Sequence, residues 1–267
     1  MVRRPAVAGK FYDGSYSSLR NQLKSYIDET KEKNRAIGVV SPHAGYVYSG
    51  KVAGELFSSI EFTPTYIIIC PNHQGAGDTA AIMIDEDWET PLGYARINNY
   101  LARQIEQGCD IVSEDTTAHR YEHSLEVQIP FLQYFDRDFD FVPISMKSVD
   151  FNTCKLLGEQ LAGIIDVHDD PVTIIASSDM NHFDKAEVGK EKDFKAINEI
   201  LNMNPKGLYD TVIRYGISMC GFIPVTVMMI AAMALGANQS QLVKYAHSGE
   251  AFGDNSSVVG YAGLIVK

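Results

Sequence analysis

Short runs of β-branched residues alternate with longer amphipathic segments from one end of this chain to the other, and that alternation leaves few folds open. Ile37–Val40, Thr65–Cys70, Phe139–Ile144, Val172–Ala176, Leu242–Ala246 and Ser257–Val266 predict strands. Several are apolar at nearly every position, the pattern of a strand covered on both faces. Between them, Ser17–Lys33, Gly50–Ser58, Asn99–Gln107, Ser124–Phe135, Asn152–Asp166, Lys185–Leu201, Pro205–Tyr215 and Cys220–Leu235 predict helices. Such alternation predicts an α/β fold, with a mostly parallel or mixed central sheet flanked by helices. No Ser/Gly linker, charge block or internal repeat divides the chain, so residues 1–267 are expected to form a single layered domain.

Composition narrows the functional classes. With 267 residues, 45% of them hydrophobic, the chain can bury a large core. A net charge of -11 argues against a nucleic-acid backbone as the main partner. The N-terminal MVRRPAVAGKFYDG lacks the apolar run of a signal peptide, and the apolar stretch around Met228–Leu235 is preceded by Pro224 and Thr226 and is too short to span a bilayer. A cytoplasmic protein without membrane contact is expected. The four cysteines, Cys70, Cys109, Cys154 and Cys220, have no C-x-x-C spacing and read as buried free thiols in a reducing compartment.

The polar residues of interest stand at strand ends. VV-SPHAGY delivers His43 and III-CPNHQG delivers His73; in each a proline, Pro42 or Pro71, is expected to end the ladder because it has no N–H to donate. VTIIA-SSDMNHFD carries Asp179 and His182, and LVKYA-HSGE carries His247 and Glu250. In open α/β sheets ligands bind outside the carboxyl ends of the strands, so these groups are expected to share one crevice. His123, in the segment Tyr121–Glu126, is placed to point into the same crevice from a helix start.

Two imidazoles and one carboxylate on one face of a divalent metal suit Fe(II) oxygenase chemistry or a catalytic zinc. His43 and His73 are the expected histidine ligands, with Glu250, or His247 three residues before it, as the third. Asp179, His182 and His123 are then left to move protons or orient the ligands. Asp179, following two serines, could instead cap a helix, and His119 and His168 are expected at the surface. No G-x-S-x-G, G-x-x-x-x-G-K-[ST], strand-following G-x-G-x-x-G or H-E-x-x-H motif offers another framework.

RRPAVAGKFY (3–12), SPHAGYVYSG (41–50), CPNHQG (70–75), EHSLEVQIPFLQ (122–133), SSDMNHFD (177–184) and DNSSVVGYAG (254–263) together resemble the Memo family. They run in order over almost the whole chain. The resemblance implies a fold similar to LigB-type class III extradiol dioxygenases, which hold Fe(II) with two histidines and a glutamate. It matches His43 and His73 to the two histidines. It places Glu250 where eukaryotic Memo proteins have a cysteine, with no cysteine of this chain at that place. His182 matches a catalytic acid/base histidine of the dioxygenases, Asp179 a pocket aspartate of Memo proteins, and His123 another pocket histidine.

The implied function is that of a metal-dependent redox enzyme, Fe(II) being the expected metal and copper or zinc the alternatives. Its substrate would be a small molecule or peptide not identified by sequence. Prokaryotic Memo proteins are associated with a radical-SAM protein and a second small partner, and eukaryotic ones with phosphotyrosine peptides. A non-catalytic peptide- or protein-binding module and a zinc metallohydrolase are therefore the competing expectations, because a fold does not transfer a reaction.

Overall fold

A computed structural model describes residues 2–136 and 138–267. Its spine is a set of parallel strands: β2 (Gly38–Ser41), β3 (Thr65–Pro71), β8 (Asp140–Met146) and β9 (Val172–Ser177), joined at one edge by β6 (Gly93–Ile97). All seven residues of β3 and all six of β9 are buried. Successive side chains of a strand point to opposite faces, so a wholly buried strand requires cover on both. Helices α5 (Phe151–Asp166) and α8 (Phe222–Ala234) pack together, with α8 across β2, β3 and β9, while α2 (Tyr46–Ser58) lies on β2 and on the C-terminal strand β12 (Val258–Val266).

The sheet order is β1-β5-β6-β8-β3-β9-β2-β12-β10, with β1 at Val2–Arg3, β5 at Asp87–Thr90 and β10 at His182–Asp184. Strand β12 runs antiparallel to β2 and also pairs with β11 (Ser240–His247); β4 (Ala80–Ile82) pairs with β8 and β7 (Val112–Glu114). This is a single α/β domain with a mixed, mostly parallel sheet, as the strand–helix alternation predicted. No helix among the described residues is long and apolar enough to cross a membrane.

Two local expectations need correction. The first helix, α1, covers only Tyr16–Lys24, because Asp28–Lys33 is a run of charged and polar residues with no apolar stripe to bury. Pro71 does not follow β3 but is its last residue, paired in register with Met146. A proline lacks only the donor; its carbonyl still faces the Ser124 hydroxyl at 3.4 Å.

Register aligns the functional strand ends. Ser41 at the end of β2 pairs with Ser177 at the end of β9, and Ile69 near the end of β3 pairs with Ala176. Since β9 lies between β3 and β2, the segments leaving all three emerge side by side at one carboxyl edge.

Candidate metal centre

His43, His73 and His123 form a group in which one ring nitrogen from each lies within 4.8 Å of the others. The ring centroids of His43 and His73 are 5.2 Å apart, those of His73 and His123 4.9 Å. His43 and His73 arrive from the ends of β2 and β3. His123 precedes a single 3-10 turn (Glu126–Gln128) and α4 (Ile129–Phe135), so the helix expected over Ser124–Phe135 with an interruption at Pro130 begins instead as a 3-10 entry, with Pro130 in the first turn of α4.

The hydrogen bonds behind these rings decide what they offer the crevice. The Ser177 hydroxyl donates its one proton to the carbonyl of Ser124 at 2.6 Å and accepts from Gln128 Nε2 at 3.0 Å. His43 Nδ1, 2.9 Å from that hydroxyl oxygen, must therefore donate, which leaves the lone pair on Nε2. The amide orientation of Gln128 is fixed because Nε2 also meets the obligate acceptor Pro42 O at 3.0 Å. His73 Nδ1 lies 2.9 Å from Glu122 Oε1, and the same carboxylate accepts the backbone N–H of His73 at 2.7 Å.

Glu122 is fully buried and also accepts the Ser124 N–H and hydroxyl, at 2.9 and 2.7 Å. Burial alone would raise its pKa, but the hydrogen bond and charge of His73 and the Ser124 donors outweigh it and bring it down to about 2. For His73 the balance is the mirror image. Burial lowers its pKa, and the Glu122 hydrogen bond and charge carry it above its ordinary value. His43 is held well below its ordinary value by burial and by the neighbouring His73, His123 and His182.

Asp179 and His182 stand beside this group. Asp179 is almost fully buried, accepts the backbone N–H of His43 at 2.8 Å, and places Oδ2 4.0 Å from His43 Nε2. Burial raises its pKa to about 6, against the His43 backbone bond and the charge of His182. It caps no helix, since β10 follows it. His182 Nδ1 lies 2.9 Å from the carbonyl of Ser218, which can only accept, so Nδ1 carries a proton and, in the neutral ring, Nε2 the lone pair. The next residue, Phe183, has φ 65°, a conformation rare outside glycine; its ring is 78% exposed.

Glu250 lies elsewhere. It is exposed, on the single-turn helix α9 (Gly249–Phe252), and its carboxylate accepts the backbone N–H of His247 at 3.2 Å. Strand β12 separates β11, which leads to it, from β2, so neither Glu250 nor His247 belongs to the three-histidine group. A cysteine does reach the crevice: Cys220 Sγ sits 3.1 Å from His43 Nε2. With Nε2 unprotonated the thiol is the donor, in keeping with burial and the charge of Asp179, which push its pKa up.

Sequence reasoning set Cys220 aside as a core thiol and passed over Glu122. The signal for Cys220 was the following Gly221. A Cβ there would come within 2.3 Å of Ser177 O, so only glycine lets this turn lie against the end of β9. His119 is not a surface residue either: it is fully buried, held to Ala81 O at 3.0 Å, and desolvation lowers its pKa to about 4. His168 is half-buried.

The donor set fits a divalent metal. Two converging imidazoles have their protons committed on the far side, a third is within reach, and a thiol adjoins.

A family model described as Memo-like protein matches residues 3–265. A MEMO1 family protein of Methanosarcina mazei is 43% identical over 269 residues, covering 100% of this chain and 99% of the relative. One from Methanosarcina barkeri is 40% identical over 269 residues, covering 100% of both. One from Methanopyrus kandleri is 38% identical over 281 residues, covering 100% of this chain and 99% of the relative. Among solved structures, an uncharacterized protein of Escherichia coli K12 is similar with a TM-score of 0.57 at 15% identity, covering 86% of this chain and 100% of that one. That likeness is one of fold. The whole-length family match and the relatives near 40% identity place this chain in the Memo-like protein family.

Proposed function

We propose that this protein is a divalent-metal-dependent enzyme whose metal is held by His43, His73 and His123, and which carries out redox chemistry on a small molecule or modified residue. The observation that carries the proposal is the convergence of three imidazole nitrogens at one strand edge, two with their Nδ1 protons fixed on the far side. His123 replaces Glu250 as the third proposed ligand, and Cys220 adds a softer donor beside His43. Fe(II) is favoured by the resemblance to extradiol dioxygenases; copper and zinc suit the same nitrogen and sulfur donors. A bound metal would supply open coordination positions for a substrate and, if iron or copper, one-electron chemistry.

The chain's own groups divide the remaining work. Asp179, with a pKa near 6, can hold or release a proton at Oδ2 close to neutral pH. His182 has its Nδ1 proton committed to the Ser218 carbonyl, which leaves Nε2 as the ring atom that faces a reacting group. Phe11 packs edge-on against the His123 ring at 4.8 Å and holds its plane. The proton-handling aspartate also favours a second reading, a zinc metallohydrolase.

Metal analysis of protein purified without oxygen tests the proposal. About one equivalent of metal is expected, and a His43→Ala/His73→Ala double variant should lose it. Protein that stays metal-free after anaerobic titration with Fe(II), Cu(I) and Zn(II) would refute it, and stoichiometric zinc without iron or copper would move the assignment to the hydrolase.

A further inference from the structure

One short segment, Glu122 to Gln128, stands behind both His43 and His73, although the two histidines come from strands on opposite sides of β9. Glu122 accepts from the ring and the backbone of His73. Ser124 O takes the one proton of the Ser177 hydroxyl, Gln128 Nε2 fills one of its lone pairs, and His43 Nδ1 is left to donate to the other. The segment is itself clamped from behind by the N-terminal residues. The Arg3 guanidinium, stacked 3.9 Å from the Trp88 ring, donates to Glu122 O and to Glu126 Oε2, each at 2.7 Å, and to His119 O at 2.8 Å. Glu126 in turn accepts from Ala6 N, Val7 N and the Tyr12 hydroxyl.

We propose that Glu122 is a positioning residue that fixes the Nδ1–H tautomer of His73 and, through its buried charge, makes His73 a stronger donor to a cation than His43, which is backed only by a neutral hydroxyl. A carboxylate behind a ligating histidine orients the ring and raises its basicity. Glu122 accepts four hydrogen bonds: Oε1 takes those of His73 Nδ1, Ser124 N and Ser124 Oγ, and Oε2 that of His73 N, while His123 Nδ1 stands farther off, 3.5 Å from Oε1. Among the described residues no arginine or lysine bonds its carboxylate.

The affinity part of this inference rests on the metal reading above; the tautomer part does not. Glu122→Gln separates them. With its amide oxygen in the place of Oε1, glutamine still accepts from His73 Nδ1 and from Ser124, but the charge is gone and the NH2 group faces the His73 N–H.

Long-range 1H–15N correlation spectra of the metal-free protein read the tautomer. At alkaline pH, where His73 is neutral, the wild type should show it with its proton on Nδ1 alone, and Glu122→Leu should populate the Nε2–H form. Zn(II) titration should find Glu122→Gln weaker by about 10–100-fold. If Glu122→Leu does not fold, the wild-type spectrum and the Glu122→Gln titration still decide. A wild-type His73 protonated on Nε2 would overturn the proposal. So would a Glu122→Gln protein binding Zn(II) as tightly as wild type while His73→Ala binds none. Wild-type protein that binds no metal but shows the Nδ1–H tautomer would sink the metal reading and the affinity claim while leaving the tautomer lock standing.

Discussion

His43 and His73 leave the sheet in similar ways, from strand ends on either side of β9 that each carry a proline, yet the structure gives them different surroundings. His43 is 2% exposed and backed by a serine hydroxyl; the His73 side chain is 30% exposed and backed by a buried carboxylate. Burial and neighbouring imidazoles hold the His43 pKa down, whereas Glu122 overcomes burial and lifts that of His73. The strand end delivers a histidine, but the group behind the ring sets its basicity. That group comes from a distant part of the chain, 49 residues from His73 and 134 from His43.

The largest effect on this comparison is expected from removing the His43 support. Ser177→Ala deprives Gln128 Nε2, Ser124 O and His43 Nδ1 of a shared buried partner. It should cost about 1–3 kcal/mol of stability, the usual range for stranded buried polar groups. The His43 ring would then be free to change tautomer. Urea unfolding of the metal-free variant measures the cost, and an unchanged midpoint would mean that Ser177 is not the brace described.

A smaller effect concerns the third strand end, between the two histidines. Asp193, on α6 (Ala186–Leu201), accepts the backbone N–H of Asn181 at 2.7 Å and the Tyr245 hydroxyl at 2.8 Å, and so steadies the segment carrying Asp179 and His182. Burial raises its pKa to about 6. An unfolded aspartate releases its proton near ~3.9, so between these values the folded state holds more protons. Its contribution to unfolding free energy should therefore fall as pH rises through that window, by at most about 1.4 kcal/mol per pH unit. Denaturation of wild type and Asp193→Asn between pH 4 and 7 should show the flatter profile for the variant; identical profiles would remove Asp193 from the account.

Much of the scaffold was legible in the chain because hydrophobic periodicity reports burial directly. The strands at 65–71, 172–177 and 258–266 lie where apolar runs predicted them, and α7 (Pro205–Tyr215) matches its expected bounds, with proline at its first turn and Gly216 in a left-handed cap. The strands β1, β4, β5, β6, β7 and β10 are two to five residues long, too short for periodicity to register, and their pairing is a tertiary fact.

The site divides along the same line. His43 and His73 could be placed because they follow their own strands closely. Cys220 and Glu122 could not, because they reach the histidines through contacts 177 and 49 residues distant in sequence. Glu250 was placed at the end of its own strand and by the resemblance, and neither carries information about β12 lying between β11 and β2.

The central claim is that three histidines from separate segments hold one metal. Its most direct test is an anomalous-scattering map of crystals grown without oxygen and soaked in Fe(II). The account predicts one strong peak at about 2.0–2.2 Å from a ring nitrogen of each of His43, His73 and His123. A crevice without a peak, or a peak at Glu250 away from His123, would contradict it.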